Sequence, residues 1–193
     1  MKFRLSVLVL ITAKFELLWA ASPAEEFILD RVYVPEESAG ELFDISDVKI
    51  KRLNRTSFSI GGDILLKEEI DDTVWVKVSI IGVDAGGDKY LFTREREKIC
   101  SYIMEVCEHC RNIIDLMKFD PKPEKCPFEK QKYNMPPFYI KRLRQDWPLV
   151  MRVTVPPFVP FENYKIDMQF FREGKQIDHL IVAFRLTNKF SAT

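Results

Sequence analysis

The chain has no excess of basic residues: 29 lysines and arginines balance 29 acidic residues, and the formal net charge is zero. A nucleic-acid-binding domain normally carries a basic excess, so we predict no nucleic-acid partner. The sequence also has no low-complexity tract, no repeat of fixed period and only two histidines. It lacks a Gly-x-Ser-x-Gly motif, and its two Gly-Gly pairs lack the helix that a phosphate-binding loop needs. These absences predict a protein that is not an enzyme and uses no cofactor.

The N-terminal residues have the composition of a secretory signal peptide. Lys2 and Arg4 give a positive start, and residues 5–13 form an uncharged run rich in Leu, Val and Ile. Small residues follow at Ala20 and Ala21, completing the order of basic region, apolar region and cleavage site. We therefore predict a signal peptide at residues 1–20 and a single domain at residues 21–193.

No run in the sequence is apolar enough to cross a membrane. Lys14 and Glu16 interrupt the N-terminal stretch, whereas a spanning helix needs about 20 apolar residues. A signal anchor and an ordinary amphipathic helix are the alternatives to a cleaved leader. Because no later segment is more apolar than this one, we expect a secreted, extracellular protein.

The cysteines and one asparagine can be interpreted if the chain is exported. The four cysteines are Cys100, Cys107, Cys110 and Cys126. An even number in an exported chain predicts two disulfides, and three pairings are open. Asn54-Arg55-Thr56 is a glycosylation sequon, which makes Asn54 the candidate glycan site.

Alternation of apolar and polar residues predicts that most elements are strands. Residues 74–80 alternate most cleanly, and a turn at residues 84–88 joins them to a partner strand at residues 90–93. Gly61-Gly62 predicts a bulge or bend within a strand. Further strands are predicted near residues 27–34, 48–51, 58–60, 151–155, 164–170 and 180–186, with a turn at residues 172–175.

One segment has the spacing of a helix instead. Across residues 97–118 apolar side chains recur at three- and four-residue intervals, with no Gly or Pro among them, and Asp120-Pro121 follows. The sequence therefore predicts a mainly β fold, an immunoglobulin-like antiparallel β-sandwich with one α-helix inserted around residues 97–118.

Cys107-Glu108-His109-Cys110 is the sharpest local motif. A redox dithiol, half of a zinc site and a set of structural disulfides are the three interpretations. Redox pairs of this spacing usually lie at a helix N-terminus, and the predicted helix places this pair in its middle. A zinc site would need a second pair of ligands, for which only Cys100, Cys126 and His179 remain. We therefore favour structural disulfides and predict no metal site.

Two weaker patterns bear on catalysis. His109 and His179 lie far apart in sequence, and spacing alone leaves a Ser-His-acid or Cys-His arrangement open. Asp71-Asp72 resembles a carboxylate pair but lies between two strand patterns, where a solvated turn is the usual explanation. Neither pattern changes the prediction that the protein is not an enzyme.

The C-terminal half is rich in aromatic residues. They include Phe138, Tyr139, Trp147, Phe158, Phe161, Phe170, Phe171 and Phe184. An ordinary packed core accounts for them, since Phe favours strands. An apolar cavity between splayed sheets would have the same composition, so composition does not separate the two.

Several short motifs follow one another along the chain. They are residues 54–63, Ile70-Asp71-Asp72, residues 86–90, Ile99-Cys100, residues 126–130 and Tyr133. Their order resembles that of a large set of secreted insect proteins, and the resemblance covers roughly residues 45–186. These proteins are similar to the chemosensory CheB proteins and, more distantly, to the lysosomal ganglioside-activator protein and the ML (lipid-recognition) family.

The resemblance implies an ML-like cup, a two-sheet sandwich that holds an acyl chain or similar lipid between its sheets. It also implies that Cys100 pairs with Cys126, and that Cys107 and Cys110 are additions. Residues 134–142 are more basic and aromatic than the corresponding family segment and form a candidate pocket rim. No catalytic residue is implied.

Two functional hypotheses follow. The first is a chemosensory carrier that buries a lipid or other hydrophobic ligand, with Ile103 and Val106 of the helix capping one end. Its predicted wall residues are Phe58, Ile60, Val76, Val78, Phe92, Met151, Val153, Met168, Phe170 and Phe184. The second is an interaction module that acts as an accessory to a cell-surface receptor or channel. It would use an apolar patch at residues 136–140 or 156–161.

Overall fold

The structure, a computed structural model, describes residues 25–54, 57–141 and 161–188. Most of these residues lie in antiparallel strands, so the prediction of a mainly β fold is confirmed. The strands are β1 (Glu25–Tyr33), β2 (Phe43–Asp44), β3 (Lys49–Arg52), β4 (Ser57–Leu66), β5 (Val74–Asp84), β6 (Gly87–Arg96), β7 (Lys132–Lys141), β8 (Asn163–Arg172) and β9 (Lys175–Asn188). The predicted leader at residues 1–20 lies outside the described residues.

The strands form two sheets that face one another. One sheet has five strands in the order β1-β9-β8-β5-β6. In the other, β4 is central, and it pairs with β2, β3 and β7. Phe43 of the four-stranded sheet meets Phe170 of the five-stranded sheet edge to face, with ring centroids 5.3 Å apart. The arrangement is that of an antiparallel β-sandwich.

The turns lie where the sequence predicts them. Asp84 begins the β5–β6 turn, where its carboxylate accepts the backbone N–H of Gly86 at 2.7 Å and pairs with Lys89 at 2.6 Å. The β8–β9 turn passes through Glu173 and Gly174, both with positive φ. The predicted irregularity at Gly61-Gly62 is a register shift between Ile60 and Gly62 in the pairing of β4 with β7.

The predicted single helix across residues 97–118 is wrong in one respect, because the structure breaks it at Cys107. It begins with a short α1 (Ile99–Ser101) and continues as a π-helical segment (Tyr102–Val106). Cys107 then takes a non-helical backbone conformation (φ −89°, ψ 86°), and α2 (Glu108–Met117) begins after it. Apolar spacing continues across the break, which is why periodicity predicts one helix. Among the described residues, no helix has both the length and the apolar character needed to cross a bilayer.

Two disulfides fix this helical region. Cys100 bonds to Cys126 with Cα atoms 5.6 Å apart, and Cys107 bonds to Cys110 with Cα atoms 5.2 Å apart. The first is the pair that the family resemblance implies. Cys100 is fully buried in the sandwich, so this disulfide ties the start of the helical region to the chain before β7.

Residues 134–142, predicted as a pocket rim, lie for the most part in β7. Pro136 and Pro137 fall at the register shift opposite Gly61. The backbone of Pro137 lies so close there that a Cβ on Gly61 would come within 2.8 Å of it. A proline lacks the N–H that a strand donates, and it is tolerated at bulges and edges. The strand therefore bulges where the prolines occur and resumes on both sides.

Candidate ligand-binding interior

The inner face of the five-stranded sheet is formed by alternate residues of β5, β8 and β9. Register pairs Val76 with Phe170, Val78 with Met168, and Ile80 with Ile166. Because directly paired residues share one face of a sheet, these side chains form apolar rows that run across the strands.

The interior contains two separate buried clusters. The first contains Leu42, Phe43, Leu66, Val74, Val76, Ile99, Tyr133 and Ile177. The second contains Phe58, Tyr164, Phe184 and Leu186. Each cluster draws side chains from both sheets, so each joins the two layers at a different place.

Asp178 anchors the segment that closes the first cluster. Its side chain is completely buried, and one carboxylate oxygen accepts the backbone N–H groups of Leu42 and Phe43, each at 3.0 Å. The other oxygen accepts the Ser38 hydroxyl at 2.9 Å and the backbone N–H of His179 at 2.7 Å. Four donors therefore satisfy the buried carboxyl group and hold β2 against β9.

The middle row of the inner face is not sealed. Val78, Met168 and Leu180 lie side by side across β5, β8 and β9, and all three are only partly buried. In the neighbouring rows Val76 and Ile80 are buried, whereas Phe170 and Ile166, with which they pair, are also partly buried. The middle row packs against the first cluster and still keeps part of its apolar surface accessible.

The structure places most of the predicted wall residues in the interior. Phe58, Ile60, Val76 and Phe184 are buried, and Val78, Ile103, Met168 and Phe170 are partly buried. Met151 and Val153 lie outside the described residues. Two predictions need correction: Phe92 is 49% exposed because it is on the edge strand β6, and Val106 is 70% exposed. Neither is enclosed between the sheets.

Several interior residues are not among the predicted wall residues, although Tyr164 and Leu180 begin two of the predicted strands. They are Leu42, Leu66, Tyr133, Tyr164 and Leu180. β2 is only two residues long, so Leu42 and Phe43 give no alternation to detect. Tyr133 and Leu180 do follow an alternating pattern in β7 and β9, which is the signal that could have found them.

His179 belongs to a polar pair on the outer face of the five-stranded sheet. Its Nε2 lies 2.8 Å from Oδ1 of Asp167, and both side chains are buried. The nearest hydroxyl in register, that of Ser79, bonds with Thr93 at 3.0 Å. Asp167 lies between Ser79 and His179 in the sheet, whereas a Ser-His-acid triad needs the histidine between the other two. This arrangement is not that of a triad.

A groove of about 690 Å³ lies over the same outer face. Its lining includes Arg31, Tyr33, Tyr90, Lys165 and Asp167. Sites for apolar ligands are lined mainly by hydrophobic side chains, and this lining is mostly charged or polar. The groove is therefore a poor match for the hydrophobic ligand that the wall residues predict.

Asp71 and Asp72 hydrogen-bond to different partners. The hydroxyl of Thr73 donates to Asp71 and lowers the pKa of that carboxyl. Ser101 donates to Asp72 through its hydroxyl and its backbone N–H, and these bonds lower the pKa of Asp72. Both groups are thus held ionised at neutral pH, and each bonds in a turn or at the start of the helical region.

No family model matches the chain, and no curated protein matches it. Within residues 25–54, 57–141 and 161–188, no three His, Cys, Asp or Glu residues are grouped so that they could hold a metal ion.

Proposed function

We propose that this protein is a carrier that binds a hydrophobic small molecule, such as the acyl chain of a lipid, between its two sheets. The partly exposed row Val78, Met168 and Leu180 is the observation that carries the proposal. Covering such surface with an acyl chain contributes about 0.8 kcal/mol for each buried CH₂ group. Burial alone supplies the affinity, so the proposed activity needs no catalytic residue.

The described interior offers a ligand little polar contact. Asp178 is the charged side chain buried beside the first cluster, and its two oxygens already accept four hydrogen bonds. A ligand's polar group would therefore remain near an entrance. This favours an amphiphile whose hydrocarbon part enters and whose head group stays outside.

The middle row ends at a cation. In the pairing of β5 with β6, Val78 lies opposite Arg94, which is exposed on the edge strand. Arg94 therefore lies on the same face as Val78 and Met168, at the rim of the sheet. A guanidinium there suits a carboxylate or phosphate head group, so we propose an anionic amphiphile such as a fatty acid.

The same proposal includes export. Disulfides persist in oxidising compartments, and the chain contains two. Asn54 is exposed in the turn between β3 and β4, where an oligosaccharide would meet no part of the core. Arg55 and Thr56 of the sequon lie outside the described residues. The resemblance to secreted chemosensory proteins and to the ML family supports an extracellular carrier of this kind.

Native mass spectrometry of the protein secreted from eukaryotic cells tests the proposal. We expect either a bound amphiphile in the purified protein or uptake of one from a lipid extract. Protein that is strictly ligand-free, and that takes up nothing from the extract, would contradict it.

A pair of variants in one strand tests where the ligand binds. Met168→Trp fills space in the middle row, whereas Gln169→Trp adds the same bulk to the outer face of β8. Loss of room for about two CH₂ groups should weaken fatty-acid binding roughly tenfold in Met168→Trp, with little change in Gln169→Trp. Equal effects in the two variants would place the ligand elsewhere.

The head-group assignment has its own test. Arg94→Gln should weaken binding of a fatty acid but leave binding of the alcohol of equal chain length unchanged. An equal loss for both ligands would remove Arg94 from the site while leaving the hydrophobic part of the proposal intact.

An interaction module beside a receptor or channel remains the second candidate function. Tyr139 favours it, because this side chain is 71% exposed on β7. The alternative patch at residues 156–161 lies mostly outside the described residues, and Phe161 packs against the second cluster instead. Ligand-free protein that binds a receptor ectodomain, and loses that binding in Tyr139→Ser, would favour this function over the carrier.

A further inference from the structure

Cys107 and Cys110 lie at the N-terminus of a helix, and not in the middle of one. Cys107 is the residue that caps α2, and its Sγ accepts the backbone N–H of Cys110 at 3.1 Å. The ground on which the sequence disfavours a redox pair is therefore removed. The two cysteines are separated by two residues, are bonded to each other and lie at a helix N-terminus. This combination is typical of reactive cysteine pairs.

The two disulfides differ in their surroundings. Cys100 is fully buried and its partner Cys126 is partly exposed, so one end of that bond is shielded from an external thiol. Cys107 and Cys110 are both partly exposed, so both ends of the second bond can be reached. Reduction of the Cys107–Cys110 bond would not separate any two elements of the fold, because only two residues lie between its cysteines.

We propose that Cys107–Cys110 is a redox-active disulfide that exchanges with an external dithiol, whereas Cys100–Cys126 is structural. The partner is a peptide or protein segment that carries two free thiols.

The exchange balances without a further oxidant. A thiolate of the dithiol attacks Sγ of Cys107 and expels the Cys110 sulfur as a thiolate, which then takes up a proton. The dithiol's second thiolate attacks its own first sulfur and expels Cys107 as a thiolate. The dithiol loses two electrons and becomes a disulfide, and the cysteine pair gains them. The two protons of the dithiol pass to Cys110 and to solvent.

The helix makes Cys107 the better leaving group. The Cys110 N–H, in the first turn of α2, donates to its sulfur. A helix N-terminus stabilises negative charge, here that of the Cys107 thiolate. Exposed Glu105 and Glu108 flank Cys107 and oppose this effect, whereas Arg111 lies one helical turn further on.

Wild-type protein tests the exchange directly. Oxidised protein is mixed with a synthetic peptide that carries two cysteines, and free thiols are then alkylated and located by mass spectrometry. We expect about one peptide disulfide for each protein molecule, with label on Cys107 and Cys110 alone. Label on all four cysteines together, or on none while the peptide stays reduced, would overturn the proposal.

Two single variants test the role of the helix. Cys110→Ser leaves Cys107 as the free thiol, and the matched Cys107→Ser leaves Cys110. The rate of alkylation by iodoacetamide at pH 6.5 is divided by the rate at pH 9.5, which removes differences in exposure. We expect the ratio for Cys107 to exceed that for Cys110 by at least about tenfold. Equal ratios, or a larger ratio for Cys110, would overturn the assignment of Cys107.

Discussion

Replacing Asp178 by alanine should destabilise the fold more than any change to an exposed carboxylate. The side chain is completely buried, and its oxygens accept four hydrogen bonds. Alanine would leave the backbone N–H groups of Leu42 and Phe43 without their acceptor. Leu42 is 0% exposed, so water cannot easily take the place of the carboxylate.

The expected loss follows from these contacts. Each buried donor without a partner costs about 1–3 kcal/mol, so leaving the N–H groups of Leu42 and Phe43 unpaired should cost about 2–6 kcal/mol in total. Asparagine should cost about 1.5–3 kcal/mol, because its single oxygen can replace only one of the two carboxylate oxygens. Domains of this size have a stability of about 5–15 kcal/mol, so Asp178→Ala removes a large share of it.

Urea unfolding of the oxidised protein measures the effect, followed by circular dichroism. Asp115→Asn is the control, since Asp115 forms an ion pair with Lys122 in which both side chains are more than half exposed. That change should leave the urea midpoint nearly unchanged, because ion pairs exposed to solvent contribute little to stability. If Asp178→Ala unfolded at the same urea concentration as Asp115→Asn, the four hydrogen bonds would not hold β2 as the structure indicates.

Three further predictions concern the backbone, the buried disulfide and pH. Gly62→Ala should destabilise the fold by at least about 2 kcal/mol, because φ is +135° and the new Cβ would lie 2.2 Å from the carbonyl oxygen of Asp47. An unchanged urea midpoint would refute this. Replacing Cys100 and Cys126 together by alanine should cost about 3–4 kcal/mol, since the bond spans 26 residues; a calorimetric loss below about 1 kcal/mol would contradict it. Hydrogen bonds lower the pKa of five aspartates. The ionised carboxylates therefore stabilise the fold above about pH 4, and this stabilisation is lost as pH falls through the lowered pKa values. Equal urea midpoints at pH 6 and pH 2.5 would refute this. The five are Asp44, Asp63, Asp71, Asp72 and Asp84.

Elements that depend on neighbouring residues could be predicted from the sequence. The β5–β6 hairpin is an example, because alternation in residues 74–80 and the turn residues after Val83 act over a few positions. The bulge at Gly61-Gly62 is another, since glycine relaxes the backbone locally.

Features set by capping or by distant pairing could not be predicted in this way. The helix breaks at Cys107 although the apolar spacing continues through it, because the break depends on backbone geometry and a bond to Cys110. β7 includes two prolines, and only its pairing with Gly61 and its neighbours in β4 shows why they fit.

The sequence predicts which residues line the candidate site, but not how completely they are buried. Alternation identifies Val78 and Met168 as inward-facing, and both pack against the first cluster. Whether such residues are sealed depends on how closely the second sheet approaches, which no local pattern contains. The same reasoning explains Phe92: its alternation is that of an inward residue, but β6 is an edge strand and leaves it half exposed.

The pairing of β1 with β9 has a consequence for biosynthesis. Leu29 of the first described strand lies beside Phe184 of the last, so β1 has no partner in its sheet until β9 has left the ribosome. The 155 residues from the end of β1 to the end of β9 take about 8–30 seconds to synthesise at about 5–20 residues per second, and β1 must not aggregate during that time. The five-stranded sheet can thus close only after synthesis has passed β9, and chaperones that bind extended apolar segments should retain this chain until then.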